Sequence, residues 1–296
     1  MMKAYLKLLR VEQWVKNLFV FIPLFFSGKI FETTQLFETI FSFIIFSFTA
    51  SSIYIINDYS DIESDRVHPE KCRRPLASGE ISVGRAKLVL VGLVISTIGL
   101  IISLSDVFGY NVLKFGAVIS SYFVMNLAYT FRLKHIAIVD ISIIAVGFVL
   151  RVLAGGYATG IVVSQWAIIL TFVLALVLAV GKRRGELVNT QLSGNTRKAL
   201  DGYNIQFADI VLSISVTLAI VSYIMFVISP ETQKEFTNKV FYTFIFVIFA
   251  FLRYLQQTLV YNRTESPTKM IYKDRYIQVV LALWGFAFLI LIYFKD

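Results

Sequence analysis

The run Asn57-Asp58-Tyr59-Ser60-Asp61-Ile62-Glu63-Ser64-Asp65 closes a long apolar stretch, and Arg66, Lys71, Arg73 and Arg74 follow at once. On a helix Asp58, Asp61 and Asp65 stand at i, i+3 and i+7, so their carboxylates share a face, with Asn57 beside them through its i+4 relation to Asp61. Carboxylates so crowded repel one another unless a cation sits between them. Hard oxygen donors that leave room for phosphate oxygens are what magnesium takes. Asp58, Asp61 and Asp65 therefore read as a candidate Mg2+ site, with Asn57 beside them. The competing reading is a solvated charged loop beside a membrane helix.

The basic residues that follow also have two readings. They satisfy membrane topology, or they take the phosphate oxygens that a metal-bound diphosphate leaves over, a task suited to Arg and Lys. Pro75 and Gly79 then break the helix and turn the chain back toward the membrane. Asp140 and Arg151 form a second constellation, two ionisable residues in an otherwise apolar stretch. Eleven residues is close to three helical turns, so both point the same way about 16 Å apart, too far for a direct ion pair. Charges at such depth face a polar cavity or pair with another helix. Nearby Gly147, Gly155 and Gly156 would let a neighbour or ligand approach closely. Gly181-Lys182-Arg183-Arg184-Gly185-Glu186 reads either as an anion cradle or as i, i+4 pairing of Lys182 with Glu186. Gln13-Trp14-Val15-Lys16-Asn17, Arg253-Tyr254 and Lys273-Asp274-Arg275 carry the same ambiguity.

The elements that must position these residues are membrane helices. The chain has 296 residues, of which 57% are hydrophobic and only 16% charged, with a mean hydropathy of +0.73. Apolar runs long enough to span a bilayer stand at about 14–31, 36–57, 83–105, 110–131, 136–159, 161–181, 207–229, 237–256 and 275–294. The fold class is thus all-α, a polytopic membrane protein of nine helices forming a single integral domain over 1–296. Residues at about 2–13, where Ala4, Tyr5, Leu8, Leu9 and Val11 alternate with Lys3, Lys7 and Arg10, suit a short interfacial helix.

Of the 28 Lys and Arg residues, 22 fall on the side of the N-terminus and five on the other. That side is expected to be cytoplasmic, which puts the N-terminus and active-site loops at the cytoplasmic face of the cell (inner) membrane. The net charge of +9 is spread over loop ends, with no basic tail, so anionic lipids or phosphorylated ligands are expected as partners and nucleic acid is not. Cys72 is the only cysteine and His68 and His135 are far apart, which leaves no zinc pattern.

With these residues in hand, the chain resembles the UbiA superfamily of membrane-embedded prenyltransferases, whose first signature is similar to Asn57 to Asp65. Gln13 to Asn17, Leu133-Lys134-His135 with Asp140, Gly147 to Arg151 through Gly155, Gly181-Lys182-Arg183 with Glu186-Leu187, Thr196-Arg197 and Asp274-Arg275 are similar to its decaprenyl-phosphate phosphoribosyltransferase branch. That resemblance implies a UbiA-like bundle around a cavity open to the cytoplasm and to lipid, with phosphoribosyl pyrophosphate as donor and a polyprenyl phosphate as acceptor. It implies that Asn57, Asp58, Asp61 and Asp65 hold magnesium and pyrophosphate. Lys16, Asn17, Arg66, Lys71, Arg74, Lys134, Arg151, Lys182, Arg183 and Glu186 are implied to bind substrate, and Asp140 to belong to the catalytic set.

Two features depart from the superfamily pattern. Cys72 stands where a basic residue is frequent, and the chain after Gly181 lacks a second Asp-x-x-x-Asp, its acids being Glu186, Asp201 and Asp209. The second departure disfavours the alternative, a UbiA-type enzyme joining a polyprenyl diphosphate to an aromatic acceptor. A transporter lined by Asp140 and Arg151 is the rival of another class, against which the full acid-then-base signature counts.

Overall fold

The structure, a computed structural model, describes residues 2–103, 112–193, 202–236, 238–262, 270 and 273–293. Thr196, Arg197 and Asp201 lie outside the described residues. Among the described residues every regular element is helical. In chain order they are α1 (Met2–Leu8), a 3-10 segment (Val11–Phe21), α2 (Ile22–Phe26), α3 (Thr33–Ser60), α4 (Ile62–Arg66), α5 (Val83–Ser103) and α6 (Val112–Phe131). There follow α7 (Val139–Thr159), α8 (Gln165–Ser193), α9 (Ile205–Ile228), α10 (Pro230–Glu235), α11 (Phe244–Leu255) and α12 (Arg275–Tyr293).

Seven helices among the described residues are long and apolar enough to cross a membrane: Thr33–Ser60, Val83–Ser103, Val112–Phe131, Val139–Thr159, Gln165–Asn189, Ile205–Ile228 and Asn238–Val260. Arg275–Leu291 is a shorter apolar helix. The run expected at 14–31 is not one continuous helix. It is split between the 3-10 segment and the five-residue α2, and Gly28 at φ 69° ends it. Nor does the N-terminal helix reach residue 13. It stops at Leu8, and Arg10 takes a left-handed conformation at φ 50° that turns the chain into the 3-10 segment.

Exposed apolar side chains follow helical spacing where lipid would lie. On α5 these are Leu88, Val91, Ile95, Ile98 and Ile102, and on α9 Ile210, Ile214, Leu218 and Val221. Water would not tolerate such stripes, whereas hydrocarbon does.

The chain forms two compact units, residues 1–133 with 150–162, and residues 134–149 with 163–296. In the first unit α3 is the axis. At 28 residues it is about 42 Å long, more than a hydrocarbon core of about 30 Å, so an end of it extends into the headgroup region. Its buried Ile45, Phe46, Ala50 and Ile53 pack with Val20, with Phe115, Val118, Ile119 and Tyr122 of α6, and with Ala154 and Ala158 of α7. Ala4 and Leu8 of α1 join Ile55, Leu76, Ile81 and Ala86 in a smaller core beside the acidic end of α3.

The second unit is built on α8 and α9, whose Val173, Val177, Val180, Leu212 and Val216 form a core with Ile141, Tyr203, Phe251 and Tyr254. Asn204 caps α9 by accepting from the Phe207 N–H at 2.7 Å. Gly181 is required in α8, since a β-carbon there would lie 2.0 Å from the Tyr254 hydroxyl.

Candidate active site

The 3-10 segment brings Gln13 to Asn17 against α3. With three residues per turn, Trp14, Asn17 and Val20 lie along one line. Trp14 Nε1 donates to Ser51 Oγ at 3.1 Å and Asn17 Nδ2 to Ser47 Oγ at 2.9 Å, matching two serines one α-helical turn apart. Asn17 then accepts from Arg151 Nε at 2.9 Å, and the Arg151 Nη2 donates to the Tyr122 hydroxyl at 2.9 Å. The guanidinium lies 4.9 Å from the ring centres of both Phe46 and Tyr122, a cation–π setting that suits a charge only 5% exposed. Asn17 and Arg151 are thus buried partners of one another. Lys16, next to Asn17 in sequence, is half-buried where Asn17 and Arg151 are buried, and so is the more accessible member of this group.

The acidic run is not one helix. It breaks at Asp61, whose φ of −100° and ψ of 6° separate α3 from α4. Asp58 and Asp65 nevertheless converge. Arg74 Nη1 stands 3.1 Å from Asp58 Oδ1 and 2.6 Å from Asp65 Oδ2, and Arg10, lying over the Tyr54 ring at 4.7 Å, also pairs with Asp58. Both carboxylates are 2% exposed. Asp61 is half-buried and accepts from Ser60 Oγ at 3.3 Å. Among the described residues no group of three or more His, Cys, Asp or Glu side chains could hold a metal ion. Of the expected set Asn57, Asp58, Asp61 and Asp65, the structure brings the Asp58 and Asp65 carboxylates together, and Asp61 stands at the break between α3 and α4.

A pair is still the right donor set for magnesium, which is held by one or two carboxylates while phosphate oxygens and water complete its shell. The Arg74 nitrogen shows that Asp58 and Asp65 can close on a single positive centre. Arg66 is exposed and donates to Glu63 at 3.0 Å. Lys71 opens a short 3-10 turn, Lys71–Arg73, that delivers Arg74.

The second unit gathers Asp140, Arg183, Glu186, Lys182 and Tyr203. Asp140 is fully buried. One of its oxygens takes Arg183 Nε at 2.6 Å and the other takes the Tyr203 hydroxyl at 2.7 Å. Arg183 also reaches Glu186 at 2.5 Å, and Lys182 lies 3.8 Å from the other Glu186 oxygen. Asp140, expected in the catalytic set, has no exposed surface, and both its oxygens are bonded, one of them to Arg183. Arg183 has a side chain only 4% exposed, against 48% for Lys182, so Lys182 is the one open to an incoming anion. Lys134 sits in the 3-10 turn Leu133–His135 just before α7 and is half-buried.

Sequence reasoning counted Arg10 only toward topology and the interfacial helix, and missed Tyr203 and Tyr122 altogether. It weighed Arg184 only as one of three consecutive cations. In the structure Arg184 is a buried staple, bonded to Asp209, to the Thr258 carbonyl at 2.7 Å and to Asn262 Oδ1 at 2.7 Å. The π-helical turn Gln256–Val260 supplies Thr258 to Arg184 and also Gln257, which donates to Asp274 at 2.6 Å beside Arg253 at 2.9 Å. Burial pushes the Asp274 carboxyl up, but Arg253, the Ile277 N–H and Gln257 outweigh it and hold the group below the usual carboxylate range.

The sequence profile of the UbiA prenyltransferase family matches residues 18–182 of the chain. The chain belongs to this family. The stretch matched to the UbiA family takes in Asp58, Asp65, Arg74, Asp140 and Arg151, and leaves Arg10, Lys16, Asn17, Arg183 and Tyr203 outside. The chain is 32% identical to decaprenyl-phosphate phosphoribosyltransferase of Corynebacterium glutamicum, over 97% of this chain and 86% of that one. To the enzyme of the same name from Mycolicibacterium smegmatis it is also 32% identical, over 96% and 91%. A UbiA homologue from Archaeoglobus fulgidus, solved with DMAPP and Mg2+, superposes with a TM-score of 0.69 at 19% identity, covering 96% of this chain and 98% of that one. At that identity the superposition shows the UbiA fold alone.

Proposed function

We propose that this chain transfers the 5-phosphoribosyl group of phosphoribosyl pyrophosphate to a polyprenyl phosphate, releasing pyrophosphate, at the cytoplasmic face of the membrane. The likeness to relatives named decaprenyl-phosphate phosphoribosyltransferase over nearly their whole length supports the substrates. The convergence of buried Asp58 and Asp65 on one cationic nitrogen is the geometric observation that carries the reading.

Asp58 and Asp65 would hold magnesium, with Asn57 and Asp61 alongside, and the metal when bound neutralises charge building on the departing pyrophosphate. The chain's own groups do the rest. Arg10 and Arg74 pair with carboxylates here, and guanidinium forks pair equally with phosphate oxygens, so with Mg2+ on Asp58 and Asp65 they would be available to the pyrophosphate. Lys182 and Lys134, with Arg183 held by Asp140 and Glu186, serve the donor's 5-phosphate. Lys16 adds a cation beside Asn17 and Arg151 for a further phosphate oxygen.

A lipid phosphate oxygen attacks the anomeric carbon as its bond to pyrophosphate breaks, with inversion. The acceptor is already an anion, so no side-chain nucleophile is needed and positioning supplies much of the rate. Membranes carrying the protein, incubated with polyprenyl phosphate and phosphoribosyl pyrophosphate, should yield a lipid heavier by one phosphoribosyl group. If isoprenyl diphosphate and an aromatic acceptor were consumed instead, the chain would be an aromatic prenyltransferase.

A further inference from the structure

Ile138 adopts a conformation that its side chain disfavours. Its φ is 69°, in the left-handed region that β-branched residues avoid, and the Val139 N–H donates to the Ala137 carbonyl across it at 2.8 Å. That bond makes Ile138 the centre of a γ-turn of positive φ, a rare and strained form. Burial does not compensate, because Ile138 is 55% exposed. Such strain persists only where the surroundings fix it.

Two neighbours from one short stretch do so. The Ile138 N–H donates to the Tyr203 hydroxyl at 2.7 Å, and that hydroxyl donates to Asp140 at 2.7 Å, so the oxygen is used in both directions. Burial, and then the bond to Asp140, raise the Tyr203 phenol well above its usual range, and it keeps the proton that it donates. Beside it Gly202 lies against Ala137 so closely that a β-carbon would stand 2.4 Å from the Ala137 Cβ. Gly202-Tyr203 therefore clasps Ala137-Ile138 at two points, the Ala137 side chain and the Ile138 N–H. Upstream of that turn is the 3-10 turn bearing Lys134, and downstream is Asp140, which aims Arg183.

We propose that Tyr203, with Gly202 beside it, is a positioning residue that holds the strained turn at Ile138 and thereby sets Lys134 and the Asp140–Arg183 pair for the donor's 5-phosphate. The role in donor binding rests on the function proposed above, whereas the clasp itself does not.

Tyr203→Phe keeps the ring and removes the two bonds. In purified protein without substrate, amide hydrogen exchange over residues 134–141 should speed up. The KM for phosphoribosyl pyrophosphate should rise about tenfold, the scale of one lost hydrogen bond to a charged group, while kcat and the KM for the lipid stay within about twofold. Gly202→Ala, which displaces the same turn and leaves the hydroxyl in place, should do likewise and covers the case in which Tyr203→Phe does not fold. Ile138→Gly in the Tyr203→Phe background should recover most of the donor KM, since glycine takes the turn without strain.

Unchanged exchange in both variants would overturn the clasp. Faster exchange with an unmoved donor KM, in an enzyme whose wild type uses the donor, would overturn the positioning role. A wild type that ignores phosphoribosyl pyrophosphate would overturn the proposed function, and the exchange measurement would still decide the clasp.

Discussion

Gly155 of α7 lies against the backbone of Val20, so close that a β-carbon would stand 1.9 Å from the Val20 carbonyl oxygen. Gly155 is one helical turn beyond Arg151, and Val20 is one 3-10 turn beyond Asn17, so this approach sets the Arg151–Asn17 hydrogen bond. Gly155→Ala must push backbone away and should lower both the melting temperature and turnover. Gly92→Ala, in α5 with open space around the added carbon, should leave activity unchanged and stabilise the helix by about 0.5–1 kcal/mol. Thermal unfolding of the two variants, followed in parallel, checks the contrast.

The acidic pair makes a sharper demand. Asp58→Asn and Asp65→Asn should each reduce turnover by roughly ten- to over a hundredfold, the cost of a lost charged contact to a metal or phosphate. Glu63→Gln removes an exposed carboxylate paired with exposed Arg66, a pair worth about 0–1 kcal/mol, and should leave the rate near that of the wild type. Chelation of divalent metal should stop turnover, and added Mg2+ should restore it. An Asp65→Asn variant of normal activity would remove the pair from the mechanism.

Adjacent cations in α8 should separate by burial. Arg183 is held between Asp140 and Glu186, and breaking such a pair costs about 3–5 kcal/mol because a buried charge is left uncompensated. Arg183→Met should therefore give poorly folded protein, whereas Lys182→Met should fold normally and raise the KM for the donor. Detergent-stability curves together with donor titrations distinguish the two.

Much of this was legible in the chain. Hydropathy located nine apolar runs because a bilayer demands them, and seven helices among the described residues are long and apolar enough to cross; the acid-then-base order from Asn57 to Arg74 pointed to the candidate site because such charge is costly beside a membrane. Spacing alone could not foresee the break at Asp61, nor that Trp14 and Asn17 would mate in 3-10 period with serines of α3. Burial was equally hidden. Asp140 and Arg151 share α7, yet Asp140 is bonded within one unit and Arg151 within the other, and only tertiary neighbours reveal that both are satisfied internally. Tyr203 left no motif, since its role depends on the conformation of Ile138.

Orientation can be checked on the native sequence, because Cys72 is its only cysteine and is half-buried beside the Arg74 turn. With 22 basic residues on that side, a membrane-impermeant thiol reagent should label Cys72 in inverted vesicles and spare it in intact cells. Labelling in intact cells would reverse the topology and place the site outside.

The central claim is that the sugar phosphate, and not a prenyl chain, is the group transferred. Phosphoribosyl pyrophosphate labelled in its ribose carbons, or separately in its pyrophosphate, would be given to the purified protein with Mg2+ and polyprenyl phosphate. The ribose label should pass into the lipid phase while the pyrophosphate label stays in water as free pyrophosphate. Neither label moving, with a labelled isoprenyl diphosphate instead alkylating an aromatic acceptor, would contradict the account.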